Sequence, residues 1–432
     1  MDIRREELPV ALLMFGYFFL VISTFWILKP IKKPLFIGFY DQTGFQLGSW
    51  VLRAAQAELL AKVLNMVVAA VAVVVFTWLS RRLVRQQLTL AFTVLFVGGF
   101  AAYAVLLGDP GAVSVWSFYL YGDLYSTVMV ATFFAFLNDA IAPQAARRLY
   151  GPILLGGVSG GVFGSAVLRL WVDSLSSQAW MGVCIVVAGL IALLAWVAGR
   201  HVDASRDDDD GPSKADEAEP AAPRQNPAIE GAALVFRSRY LLSVAVMVGL
   251  YEIVSTVMDY QFSATVSYYL DGAAIGQQFA TVYLITNIAS LVVQVFLTGA
   301  LMSRFRLTVP LMVLPVAVAV ASGMFLMVPA LWIGSALSTA DNAFSYSLNQ
   351  STKEALYTPT TRDEKYKAKA FIDMFVQRFA KAVAVGVSLL VTMIFADFST
   401  VRWLSVFTIA IVILWAIAAR YAGRRFHELS DG

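Results

Sequence analysis

Charge is scarce in this chain, so the places where it gathers stand out. The stretch from Asn349 to Lys381 reads NQSTKEALYTPTTRDEKYKAKAFIDMFVQRFAK and lies between two strongly apolar segments. It holds Lys353, Glu354, Arg362, Asp363, Glu364, Lys365, Lys367, Lys369, Asp373, Arg378 and Lys381, in a chain only 14% charged. Its later half has the pattern of a helix entering a membrane. On that helix Lys369, Asp373, Gln377 and Lys381 recur every four residues and form one stripe roughly 18 Å long. A charged residue facing lipid costs about 3 kcal/mol on insertion scales, so the stripe should face an interior or a cavity. The chemistry on offer is electrostatic: bases held in an apolar setting bind phosphate or carboxylate through charge-assisted bonds.

Other polar positions fall at helical spacing inside apolar runs. The first run carries Lys29, Lys32 and Lys33. The fourth carries Asp123, Ser126, Thr127 and Asn138, with Tyr119, Tyr121 and Tyr125 beside them. The seventh carries Glu252, Ser255, Thr256, Asp259 and Ser263, and the tenth Ser338, Asp341, Asn342, Ser345 and Asn349. An ionisable residue inside a membrane is a functional candidate by default. The candidate substrate-binding set is Lys29, Lys32, Lys33, Tyr119, Asp123, Asp259, Asn342, Asn349, Lys353, Lys369, Asp373, Arg378 and Lys381. Plainer readings exist for several of them. The lysines near Pro30 and Pro34 would end a helix and snorkel to the interface. Asp123 would pair structurally with a buried lysine, and Glu252 would be solvated near the cytoplasmic surface. The aromatics of the fourth run, which offer a base-stacking surface, would serve as packing or an interface belt.

The elements that position these groups follow from composition. The 432 residues are 59% hydrophobic, with mean hydropathy +0.71, and apolar runs of about 20 residues recur throughout. This is the composition of a multi-span membrane protein, not of a soluble domain. A formal net charge of +3 gives no case for nucleic acid. The single Cys184 rules out a disulfide within the chain, and His201 and His427 lie in polar flanks, so neither a metal site nor a bound cofactor is expected. The amino-terminal run lacks a small-residue cleavage pattern and reads as a retained first span.

Twelve spans result: one beginning near Pro9 and interrupted at Pro30 and Pro34, then about 59–78, 88–107, 113–138, 150–171, 180–198, 240–260, 279–301, 307–328, 331–348, 368–395 and 401–421. Residues 199–239, with HVDASRDDDDGPSKADEAEP, read as a disordered acidic cytoplasmic linker in which the DDDD run is simply solvated. It separates an amino-terminal half, 1–198, from a carboxy-terminal half, 240–432. The run GPILLGGVSGGVFGS in the fifth span lacks the GK[ST] of a phosphate loop and reads as a close helix-packing surface. Lysine and arginine concentrate in alternate loops, which places both termini in the cytoplasm. Asn65 precedes SRR in the second span much as Asn287 precedes SRF in the eighth. Two related six-helix halves are the major facilitator architecture, in which spans one, four, seven, ten and eleven line a central cavity.

The stretch TKEALYTP…DEKYKAKAFIDMFVQRFAKA is similar to a signature of the nucleotide transporters of obligate intracellular bacteria and plastids, the ATP/ADP translocases. That signature reads roughly TKEMAYIP…KxKGKAAIDVxxxRxGK. Lys353, Glu354, Tyr357, Pro359, Lys365, Lys367, Lys369, Ile372, Asp373, Arg378 and Lys381 match it. ILKPIKKPL resembles the family's ILRDTKDxL, with Lys29 and Lys32 at its basic positions. DLYSTVMVATFFAFLN resembles ELWGSVVxSLLFWGFAN and puts Asp123 at a glutamate. YEIVSTVMDYQFS resembles YGISINLVEVTWK and puts Asp259 at another. Pro30 and Lys33 replace two aspartates, and Phe262 and Ser263 replace a tryptophan and a lysine. The resemblance implies a nucleotide carrier working by alternating access, not an enzyme. Lys32, Lys353, Lys369 and Lys381 would neutralise phosphates, and Asp123 and Asp259 would serve as gates or counter-charges. ATP and ADP would be the substrates, the protein a monomer and its home a bacterial inner membrane. Exchange would follow if the basic stripe, left uncompensated, kept the unloaded carrier from reorienting. The alternatives are a proton-coupled carrier of another organic anion, with Asp123 or Asp259 taking the proton, and a non-transporting membrane receptor or assembly factor.

Overall fold

The computed structural model describes residues 7–80, 82–141, 143–207, 227–361, 367–394 and 397–430. Among them, eleven helices are long and apolar enough to cross a membrane: Leu8–Tyr40, Ala54–Ser80, Gln86–Leu106, Ala112–Ala140, Leu149–Trp171, Ser177–His201, Arg239–Tyr269, Ala273–Arg304, Thr308–Met327, Lys369–Ile394 and Phe398–Leu429. A twelfth helical run covers 331–355. It is made of Leu331–Phe344, a π-helical stretch Ser345–Asn349 and Gln350–Ala355. Ser335, Ser338, Asp341, Asn342 and Asn349 make it too polar to qualify on composition, although it is long enough to span. In chain order these are spans one to twelve, with residues 331–355 as span ten.

Four expectations change. Span one is one helix of 33 residues, about 50 Å at 1.5 Å per residue, and runs through both Pro30 and Pro34. The two prolines stand four apart on one face. Each withholds only one ladder bond, from the carbonyl four residues earlier, and the turns on either side hold. The three lysines therefore belong to the helix body. The chain is also not purely helical. A hairpin pairs Phe45–Leu47 with Trp50–Leu52 antiparallel, with Leu47 opposite Trp50. Gly48 turns the chain at φ +63° and Gly44 enters it at φ +65°, a conformation in which side-chain-bearing residues are strained.

The expected linker is shorter at both ends. Span six continues as helix to Asp207, and Pro227–Arg237 forms a helix of its own; the rest, including the DDDD run, lies outside the described residues. Finally, spans ten and eleven are not uniform α-helix. The π-helical stretches Ser345–Asn349 and Ile372–Val376 widen a turn in each, so side-chain faces extrapolated at α-helical spacing shift as they pass through.

The chain divides into two compact units. Unit 1 comprises Met1–Ala54, Leu64–Lys214 and Asp271–Asn287; unit 2 comprises Ala55–Val63, Ala215–Leu270 and Ile288–Gly432. The first turns of span two thus belong to unit 2 and the beginning of span eight to unit 1. The core of unit 1 is aromatic, with Tyr17, Phe96, Phe100, Phe118, Tyr125, Phe133 and Phe136 buried around Cys184. Phe18 stacks on Phe133 with ring centroids 4.3 Å apart. The glycines of span five let span one approach closely. A Cβ at Gly156, Gly160 or Gly164 would meet the carbonyl oxygen of Phe15, Phe19 or Ser23 at 2.5, 2.4 and 2.4 Å. Ser23 Oγ donates to the Gly160 carbonyl at 3.1 Å across that seam. The core of unit 2 is built from aliphatic residues of spans seven, nine and twelve, including Leu241, Val254, Val257, Leu311, Val318 and Leu404, with Trp415 among them.

Candidate functional site

Each unit carries its own set of charges. In unit 1, Lys32 forms an ion pair with Asp123, linking spans one and four. The lysine is 5% exposed and the aspartate 26%, so the open side of the pair belongs to the acid. Asn65 of span two donates its amide to the other oxygen of Asp123 at 3.0 Å. The Lys32 amine also reaches the Tyr119 carbonyl at 3.5 Å and stands 4.5 Å from the centre of the Tyr119 ring. Its stem passes Gly122: a Cβ there would lie 2.8 Å from Lys32 Cδ. The missing side chain beside Asp123 gives the lysine its route.

The two neighbouring lysines are against aromatic faces. Lys29 stands 4.8 Å from the centres of both Trp26 and Tyr283, and Lys33 5.3 Å from that of Phe279. Such cation–π contacts help to hold an ammonium in an apolar environment. Tyr119 itself is buried, with its ring tilted against Phe36 at 5.1 Å, so it lines the Lys32 site from within the packing.

In unit 2 three lysines of spans ten and eleven are matched by acids. Lys369 pairs with Glu354 at 2.6 Å, Lys381 with Glu252 at 3.4 Å, and Lys353 with Asp373 at 3.4 Å. Gln377 adds its amide to Asp373 at 2.9 Å. Lys367 pairs with Glu230 of the short helix Pro227–Arg237 at 2.8 Å. The stripe Lys369–Asp373–Gln377–Lys381 is therefore compensated within its own unit. The condition on which exchange was made to depend, an uncompensated stripe in the unloaded carrier, is not met. Tyr357 is buried beside this group, with the Lys369 amine 5.8 Å from its ring centre. Burial first, then the nearby Asp373 and Glu354 carboxylates, push its phenol well above the ordinary value and keep it neutral.

Deeper in unit 2, Glu252 is mostly buried against Lys381 and is not a solvated surface acid. Ser255 Oγ donates to the buried Asp341 at 2.6 Å, while Tyr251 bonds Ser345 at the start of the π-helical stretch. Asn342 turns its amide to the Ser338 carbonyl of its own helix at 2.8 Å. Asn349, which closes the π-helical stretch, accepts from Thr352 Oγ1 at 3.0 Å through its carbonyl. Arg378 is half-buried on span eleven. Arg362, Asp363, Glu364 and Lys365 lie outside the described residues.

Sequence reading missed the partner of Asp259. It is Lys62 of span two, whose amine bonds Asp259 Oδ2 and lies 3.6 Å from Glu58 Oε1. The available signal was that Glu58 and Lys62 are the only two charged residues on the helix Ala54–Ser80, placed four apart. The helix starts before the apolar run, so these residues lie within its body. Read from the apolar run alone, they look like a polar end.

The sequence pattern of the family described as TLC ATP/ADP transporter matches residues 111–330 and 321–426. ADP,ATP carrier protein 2 of Chlamydia trachomatis serovar D is 24% identical, over 98% of this chain and 89% of its own length. ADP,ATP carrier protein 2 of Chlamydia pneumoniae is 22% identical, over 99% and 90%. Among solved structures, the POT family transporter PepTSo superposes with a TM-score of 0.65 at 13% identity, covering 97% of this chain and 98% of that one. The nucleoside transporter NupG gives 0.62 at 13% identity, over 98% and 100%. FucP, a Major Facilitator Superfamily transporter, gives 0.51 at 14% identity, over 97% and 99%. The structural likenesses establish a multi-pass, major-facilitator fold for this membrane protein. The family pattern spans most of the chain, over units that hold lysine–carboxylate pairs inside apolar helices, and the chain belongs to the TLC ATP/ADP transporter family.

Proposed function

We propose that this chain carries adenine nucleotides across a bacterial inner membrane, exchanging ATP for ADP by alternating access, with both termini in the cytoplasm. It acts as a monomer and makes or breaks no covalent bond. The observation that carries this reading is the Lys32–Asp123 pair, a buried amine held by an acid with an open side. A phosphate chain is a multivalent competitor for such an amine, and an arriving phosphate replaces one charge-assisted bond with another at little net electrostatic cost. Lys353 and Lys369, each less exposed than its carboxylate, repeat the device in unit 2, and Lys381 adds an open amine held by the more buried Glu252. Asp123 and Asp259 act as counter-charges that receive the amines again when nucleotide leaves. Lys29, Lys33 and Arg378 add to the positive field that draws the anion in. Asn342 and Asn349 supply polar backbone and amide groups along span ten, and Tyr119 fixes Lys32. The chlamydial relatives, named as ADP,ATP carriers, support the choice of nucleotide.

The test is a melting-temperature screen of the purified full chain against nucleotides. A ligand at one hundred times its Kd stabilises by about 2.7 kcal/mol. ATP and ADP should raise the melting temperature, with adenosine giving no rise. A flat panel, with no nucleotide distinguished from buffer, contradicts the reading.

A further inference from the structure

Span two of this chain has two charged residues, Glu58 and Lys62, and Lys62 pairs both with Glu58 and with Asp259 of span seven within unit 2. Each is costly inside a bilayer unless matched, so a purely apolar helix would be the cheaper way to fill this position. The three groups are unequally exposed. Glu58 is fully buried, Lys62 is 20% exposed and Asp259 28%. The amine is thus closed off on the Glu58 side and open on the Asp259 side. Glu58 lies one helical turn before Lys62 on the same face, where it holds the lysine stem in place. Here the exchangeable partner is the one left open.

The same inequality marks the Lys32–Asp123 pair of unit 1, in which the amine is the more buried member and span two again provides a partner, Asn65. Resting on the nucleotide-carrier reading, we propose that Lys62 is a ligand of the substrate's phosphate chain, positioned by Glu58 and surrendered by Asp259 when phosphate arrives. Asp259 is then the competitor that allows release, and Lys62 discriminates nucleotides by the number of phosphates they bring.

Affinities of AMP, ADP, ATP and inorganic tripolyphosphate for the purified full chain test the proposal, in wild type, K62Q, K62R, D259N and the double variant K62Q/D259N. K62Q should weaken ATP and tripolyphosphate at least 10-fold and AMP less than 3-fold, flattening the order of the series. K62R should restore most of the loss. D259N, freeing the amine from its competitor, should tighten ATP several-fold, and the double variant should lose that gain. A K62Q protein that melts with wild type and keeps the wild-type order of affinities overturns the proposal. Should K62Q not fold, D259N decides: ATP binding weakened 10-fold by it shows that Asp259 is not a competitor. If wild type binds tripolyphosphate in a Lys62-dependent way but no nucleotide, the nucleotide reading falls and the Lys62 anion site stands. If it binds neither, both fall.

Discussion

Lys381 and Glu252 stand 3.4 Å apart, joining span eleven to span seven inside unit 2, with the acid the more buried of the two. Lys381 is 45% exposed, so the pair contributes little to stability, under about 1 kcal/mol once solvent screening is allowed for. On the proposed reading its weight falls on the substrate instead. E252Q should leave the melting temperature nearly unchanged while lowering both the KM for ATP and the turnover, because an amine without its acid holds the anion longer. K381Q should raise KM. Initial rates of nucleotide uptake over a concentration series separate the two effects, and unchanged KM in both variants would exclude Lys381 from the binding set.

Gly122 offers a cleaner probe of the Lys32 site than removal of the lysine itself. A methyl group at this position would lie 2.8 Å from Lys32 Cδ. A flexible stem can move aside at small energetic cost, but the amine moves with it. G122A is therefore expected to fold with less than about 1 kcal/mol of lost stability and to transport at least 10-fold more slowly. Wild-type rates in a well-expressed G122A protein would show that the position of the Lys32 amine is not critical.

The seam between spans one and five makes the opposite prediction. At Gly160 the neighbour is the Phe19 carbonyl, 2.4 Å from where a Cβ would lie, and backbone cannot rotate away. G160A should cost about 1–3 kcal/mol, and G160L should abolish stable expression. Size-exclusion profiles and melting curves of the detergent-solubilised variants measure both. Alanine tolerated without any fall in melting temperature would mean that the two helices sit further apart than described.

How much of this was legible in the sequence depended on range. Apolar runs broken by charge revealed the spans, and Lys32, Asp123, Asp259 and Lys381 stood out because each interrupts such a run. Their partners did not, since pairing Lys32 with Asp123 or Lys369 with Glu354 needs tertiary contact that no local period encodes. Lys62 was hidden because it falls in the first turn of the run read as 59–78, where a lysine looks like a polar end, whereas the helix begins at Ala54 and places it within the body. The π-helical turn Ile372–Val376 was also hidden, because its sequence suits an ordinary α-helix equally well. The glycine periodicity of span five was readable because close backbone approach demands glycine wherever it occurs. Span ten was readable as an apolar run over 331–348, and its polar face by the same four-residue spacing that places Ser338 and Asn342 together.

The central claim is exchange of adenine nucleotides by the lysine–carboxylate pairs, and counterflow tests it most directly. The full chain is reconstituted into liposomes loaded with unlabelled ADP, and uptake of labelled ATP is followed with and without an imposed proton gradient. The account predicts rapid uptake that internal ADP accelerates, that ignores the gradient and that falls when Lys32 is replaced by glutamine. Absence of uptake into ADP-loaded vesicles under either condition would contradict it.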